Sequence, residues 1–234
     1  MNARKTTRPE SLTSLAKERI REAIVSGALP FGWQLSENVL AAQLGISKTP
    51  VREGLLQLKF EGLVDIRPQA GTYVFQPTAD QIRDMCQFRE VIELSALELA
   101  MRNDAIFLAQ QLTLALRALP KHEHSVAPLH AQDATFHETL IECCESDCLQ
   151  QAYLLIGDKI KALRARLSTE DERVDACMAK HSAILSLVRE GDIANARIEL
   201  RLHIRSTENA YLRAALVPVV SKADDCPASA VNAF

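Results

Sequence analysis

Ser36-Glu37-Asn38-Val39-Leu40-Ala41-Ala42-Gln43-Leu44-Gly45-Ile46-Ser47-Lys48-Thr49-Pro50-Val51-Arg52-Glu53 is the stretch that decides the fold of the front of this chain. Ser36 is a residue type that caps helices, and Val39, Leu40 and Leu44 recur behind it at helical spacing. Gly45 stops that helix because it takes the left-handed turn conformation at no steric cost. Ser47 can cap a second helix, Pro50 falls in its first turn where the missing N–H costs little, and Val51, Leu55 and Leu58 share one face. The pair is a helix-turn-helix. Working outward, Ser11 caps a preceding helix through Leu12, Leu15, Ile20 and Ile24 that stops at Gly27. On the other side, Leu63, Val64 and Ile66, then Pro68-Gln69-Ala70-Gly71, then Thr72-Tyr73-Val74-Phe75 read as two short strands around a loop. Residues 11–76 are therefore expected to form a winged helix-turn-helix.

In such a motif the second helix enters the major groove with its N-terminal residues nearest the bases. Ser47 and Thr49 can reach phosphate, Lys48 phosphate or base, and Arg52 can form a bidentate contact with guanine. Gly71 allows the wing backbone a close approach to the minor groove. Together with Ser36 these residues are the expected DNA contacts. The competing reading has Ser47 only capping and Arg52 paired with Glu53 or another nearby acid. Charge favours the first: residues 1–76 hold 10 Lys/Arg against 7 Asp/Glu, while the remainder holds 17 against 23. Only the front third suits a polyanion.

Beyond Pro77 no strand signal remains. Amphipathic segments near 80–102, 104–119, 128–144, 147–168, 172–190 and 192–215 predict a helical bundle over 81–216. Residues 1–10 and 217–234 are expected to be loose tails, and 77–80 a linker. With 47% hydrophobic residues each part can bury a core. No apolar run approaches the roughly 18 residues of a membrane span, so the expectation is a cytoplasmic protein without membrane contact. The six cysteines, Cys86, Cys143, Cys144, Cys148, Cys177 and Cys226, lack any pairing logic and read as reduced packing thiols.

Within the bundle, Asp133-x-x-x-His137 sets a carboxylate and an imidazole one helical turn apart, able to converge on one cation. His181 and His203 would come from two further helices. Such a set suits zinc or nickel, with manganese also possible, and leaves positions open. Histidines in a helical protein are otherwise commonly packing or surface residues, and His122, His124 and His130 take that reading.

Two resemblances extend these readings. Gly27-Ala28-Leu29-Pro30-Phe31-Gly32, Leu35-Ser36-Glu37, Leu40-Ala41, Leu44 to Glu53 and Glu61-Gly62-Leu63-Val64 resemble the signature of the GntR family of bacterial transcription regulators. The departures are the inserted Phe31, Lys48 where Arg is common, Gly54 for a usual Ala, and Ala70 at a wing position often basic; they bear on which operator is read. Phe88-Arg89-Glu90-x-x-Glu93, Asp133-x-x-Phe136-His137 and His181-x-x-Ile184 with Gly191-Asp192, Ala196 and His203 resemble the FCD ligand-binding domain of the FadR branch. Ser146-Asp147 departs from its usual Gly-Asn. This second resemblance implies a metal held by Asp133, His137, His181 and His203, and a small organic acid bound beside it. Arg89 could then offer its guanidinium to a carboxylate, although an i, i+4 ion pair with Glu93 is an equal alternative.

The combined expectation is a mainly α, homodimeric regulator, of repressor type, that binds a palindromic operator in double-stranded DNA and responds to a small carboxylate. Its alternatives are a metal-responsive regulator and a metal-dependent hydrolase. The hydrolase lacks an evident general base beside the metal motif, so the chain is expected not to be an enzyme.

Overall fold

A computed structural model describes residues 11–117, 126–167 and 171–215. The expected tails, together with His122, His124 and Cys226, lie outside the described residues. The chain divides after Gln76 into two compact units.

The first unit contains α1 (Leu12–Val25), β1 (Gln34–Leu35), α2 (Glu37–Leu44), α3 (Lys48–Phe60), β2 (Val64–Arg67) and β3 (Gly71–Val74). The Ser11 hydroxyl accepts from the Ser14 amide and starts α1; the Ser36 hydroxyl accepts from the Val39 amide and starts α2. Gly45 closes α2 at φ 66°, as its position in the turn requires. Ser47 occupies the N-cap position of α3, but its side chain makes no capping hydrogen bond there. Ile20 and Ile24 of α1 and Val51, Leu55 and Leu58 of α3 are buried, and the two helices pack together. Gly54 permits this closeness, because a Cβ there would lie 3.1 Å from the backbone nitrogen of Lys17.

The strands form an antiparallel sheet in the order β1-β3-β2. The sequence led us to expect only the β2–β3 hairpin. β1 was not foreseen because two residues between the turn at Gly32 and the cap at Ser36 are too few to show alternation. Gly71 opens β3 at φ 120°, where a Cβ would meet the Gln34 side chain at 2.8 Å.

The second unit contains α4 (Ala79–Arg117), α5 (Val126–Cys143), α6 (Asp147–Leu154), α7 (Gly157–Arg164), α8 (Asp171–Glu190) and α9 (Ile193–Ala215). Ala79 and Asp80, expected in a linker, form the first turn of α4. A reciprocal capping box explains this: Thr78 Oγ1 accepts from the Gln81 amide and Gln81 Oε1 from the Thr78 amide. α4 is kinked at Asp104 (φ −157°, ψ 88°), whose carboxylate accepts from the Phe107 amide and restarts the helix. That break matches the two segments read from the sequence. The single helix expected over 147–168 is instead two, because Leu155 and Ile156 tighten the chain with bonds to the carbonyls of Ala152 and Tyr153. The step turns α7 so that Ile160, Leu163 and Arg164 point inward while Leu154 and Leu155 stay exposed.

The bundle core runs through Leu97, Leu108 and Leu112 of α4, Phe136 and Leu140 of α5, Ile184 and Val188 of α8, and Leu200 and Ile204 of α9. Among the described residues no helix is long and apolar enough to cross a membrane.

Candidate metal centre and nucleic-acid interface

Three helices deliver the donors. α5 carries Asp133 and His137 one turn apart, α8 carries His181, and α9 carries His203. Apolar neighbours at i, i+3 and i+4 spacing (Phe136 and Leu140; Ile184 and Leu185; Leu200 and Ile204) force these polar side chains into the same interior. Each histidine is at most 2% exposed. His137 Nε2 lies 3.0 Å from His203 Nε2, and His181 Nε2 lies 3.2 Å from His203 Nε2 and 3.2 Å from Asp133 Oδ1. One donor atom from each of the four residues lies within 4.8 Å of the others.

Such convergence fits a cation. The second ring nitrogen of His137, Nδ1, is 2.7 Å from Glu93 Oε2, which assigns the proton to Nδ1 and turns the Nε2 lone pair toward the cluster. A lone His203 proton cannot serve both facing imidazoles. A divalent ion at about 2.0–2.1 Å from each nitrogen would satisfy all of them at once. Burial, and the mutual repulsion of the neighbouring imidazoles, hold His203 well below the usual histidine range; burial lowers His181 despite the pull of Asp133. Both are therefore neutral and ligand-competent at pH 7. Burial pushes the Asp133 carboxyl up, but Arg164, His137 and His181 outweigh it and keep Asp133 ionised.

Glu93 is fully buried and divides its oxygens, Oε2 facing His137 and Oε1 accepting from Arg89 Nε at 2.6 Å. Burial opposes its charge, yet Arg89 and His137 bring its pKa down to about 2. For Arg89 the ion pair with Glu93 is therefore real, and it uses only Nε. Arg89 Nη1 and Nη2 are buried without a hydrogen-bond partner, as is Nη2 of Arg164, whose guanidinium forms an ion pair with Asp133. A buried guanidinium nitrogen left without an acceptor is costly, and an anion is one partner that would satisfy it.

Sequence reasoning gives neither Arg164 nor Arg166 a role, because their helix is too charged for a face to be read. α7 directs Arg164 to Asp133, while Arg166 donates to the Ala162 carbonyl. It missed the link from Glu93 to His137, for which no local signal exists across 44 residues. It also missed Cys177, whose thiol donates to Asp133 Oδ1 at 3.2 Å and lies 4.0 Å from His181 Nε2. Burial and the Asp133 charge push that thiol upward, so it is protonated here. His130 is half-buried near Arg164 and Asp133 but stands outside the donor cluster.

In the first unit Ser36, Ser47, Lys48, Thr49 and Arg52 are all exposed, and Gly71 is partly so. The helix tip is thus accessible. Arg52 does not pair with Glu53; it forms a fork on Glu37 of α2, with Nε 3.0 Å from Oε1 and Nη2 2.8 Å from Oε2. Glu53 instead accepts from Thr13 Oγ1 of α1 at 2.7 Å. In the wing, Arg67 stacks on the Tyr73 ring at 4.5 Å, a basic contact candidate that the sequence reading passed over.

These two constellations are matched by known families. The model described as bacterial regulatory proteins, gntR family, matches residues 12–74, and that of the FCD domain matches residues 84–206. The chain belongs to the gntR family and carries an FCD domain. It is accordingly a DNA-binding transcriptional regulator, and its relatives are regulators, which removes the hydrolase alternative. An HTH-type transcriptional regulator in an unstable DNA locus of Streptomyces ambofaciens, itself uncharacterized, is 28% identical over 80% of this chain and 80% of that protein. The gluconate operon transcriptional repressor of Bacillus subtilis (strain 168) is 26% identical over 75% of this chain and 74% of its own length. Among solved structures, E. coli McbR/YncC superposes with a TM-score of 0.68 at 21% identity, covering 87% of this chain and 98% of the other, a likeness of fold.

Proposed function

We propose that this regulator represses transcription as a homodimer on a palindromic operator, and that a small organic acid held at a divalent ion in the FCD domain sets its operator affinity. The observation that carries the reading is the buried Asp133, His137, His181 and His203 cluster, tied through Glu93 to an Arg89 with two unpartnered nitrogens. The ion, zinc or nickel before manganese, would supply Lewis acidity and open positions for a carboxylate oxygen. Arg89 and Arg164 would hold the acid's other oxygens and neutralise its charge. Ser36, Ser47, Lys48, Thr49, Arg52 and Gly71 are the assigned DNA contacts. A two-fold operator calls for two recognition helices and hence two copies. The repressor sign is supported by the B. subtilis relative, whose name records repression of a gluconate operon.

An acid can change DNA affinity only if it binds the two functional states of the protein unequally. Fluorescence anisotropy on DNA from the regulator's own promoter region, with zinc-loaded protein and a panel of mono- and dicarboxylates, tests this. At least one acid is expected to shift the dissociation constant by roughly 5–150-fold. A flat response to every acid, with zinc fixed, would remove the effector reading.

A second reading, with the metal as the signal, is favoured by the complete burial of the imidazoles and by the Glu93 clamp on His137. Titrating metal in the absence of any acid separates the two. Metal alone must change DNA affinity for this version to stand.

A further inference from the structure

We propose that Cys177 is a fifth protein donor, a thiolate, to the ion held by Asp133, His137, His181 and His203, and that it biases the site toward thiophilic metals. This inference rests on the metal reading above. Cys177 precedes His181 by four residues, so α8 presents sulfur and imidazole on the same face, one turn apart. The sulfur lies 3.2 Å from Asp133 Oδ1 and 4.0 Å from His181 Nε2. Donors sharing one ion at about 2.1 Å for nitrogen or oxygen and about 2.3 Å for sulfur stand between roughly 3 and 4.4 Å apart. Cys177 meets that condition with two of the four ligands, and the imidazole pairs at 3.0 and 3.2 Å meet it among themselves.

The environment agrees with ligation rather than simple packing. Cys86 and Cys144 are buried more fully than Cys177, and Cys144 donates only to the Ile141 carbonyl one turn back. Cys177 instead faces the Asp133 carboxylate, which pairs with Arg164 and lies against the imidazoles of His137 and His181. With an ion bound, Cys177 and Asp133 would hold it side by side, the sulfur as thiolate, and the thiol proton would go to solvent. A thiolate among imidazoles raises preference for zinc or cobalt over manganese.

Cobalt titration of the full chain reads this directly. Cobalt in the histidine and aspartate set gives visible ligand-field bands, and a bound thiolate adds an intense near-ultraviolet sulfur-to-cobalt charge-transfer band. Wild type is expected to show both, and Cys177→Ser to keep the ligand-field bands while losing the charge-transfer band. The same variant is expected to narrow the preference for zinc over manganese. Should Cys177→Ser not fold, alkylation of the wild type followed by peptide mass spectrometry answers instead, with Cys177 protected by zinc and left reactive with manganese. Ligand-field bands without a charge-transfer band, or a band that survives in Cys177→Ser, would overturn the thiolate while leaving the four-ligand site intact. Failure of cobalt to bind at all would overturn both.

Discussion

Glu93 joins a guanidinium to an imidazole of the buried donor cluster, and its burial makes that junction sensitive to acid. Its folded pKa of about 2 lies below the ordinary 4.5, so its contribution is fully present above pH 4.5 and is lost as pH falls toward 2. The effect is on the order of 3 kcal/mol. Glu93→Gln is expected to lower neutral-pH stability of the metal-free protein by a similar amount, and to shrink the acid-side decline; urea midpoints across that pH range check it. A second residue-level prediction concerns Glu37, which engages Arg52 in a fork at an exposed surface. Glu37→Gln releases the guanidinium and removes a negative charge from the helix tip. Tighter binding to DNA, with a steeper salt dependence, is expected in anisotropy measurements, and Arg52→Ala should abolish sequence preference. At this scale the sequence disclosed what spacing discloses: Asp133 and His137 share a helix face by arithmetic. His181 and His203 needed the family resemblance, while Glu93, Arg164 and Cys177 acquire their roles from partners on other helices, which no local pattern encodes.

Among the elements, the junction of α1 with α3 is the tightest constraint on the DNA-binding unit. Gly54 faces the backbone at Lys17 and Thr13, and neither can retreat without moving α1. Gly54→Leu is therefore expected to destabilise this unit by about 1–3 kcal/mol, the cost of overpacking, visible as a lower chemical-denaturation midpoint and weaker DNA binding. The helix-turn-helix was legible in full because its punctuation is local: Ser36, Gly45 and Pro50 each act within a few residues of themselves. The step between α6 and α7 was not. Leu154, Leu155 and Ile156 carry no breaker, and Gly157 follows the tightened turn. Leu154 and Leu155 are 70% and 65% exposed there, while the next helix turns Arg164 inward to Asp133. The wing's third strand was hidden for the opposite reason, being too short to have a period.

For the molecule as a whole, the proposed response must obey linkage: an acid that weakens DNA binding by some factor must itself be bound more weakly by that factor when DNA is present. Titrating the acid by calorimetry with and without operator DNA measures both sides, and unequal factors would mean that another binding event intervenes. Metal supply enters the same balance. His203→Asn is expected to weaken zinc binding by more than about 100-fold, beyond what loss of an outer partner costs, while the helical circular dichroism persists. Competition with a chelating dye checks the first part. The centre, with three imidazole nitrogens and a carboxylate crowded into one buried interior, also has a bearing on turnover. Whatever binds the folded chain alone raises its stability, and intracellular proteases take the opened form. If the proposed ion and repression hold, a metal-starved cell would keep fewer copies of the regulator, and its operators would be relieved by scarcity before any acid had accumulated.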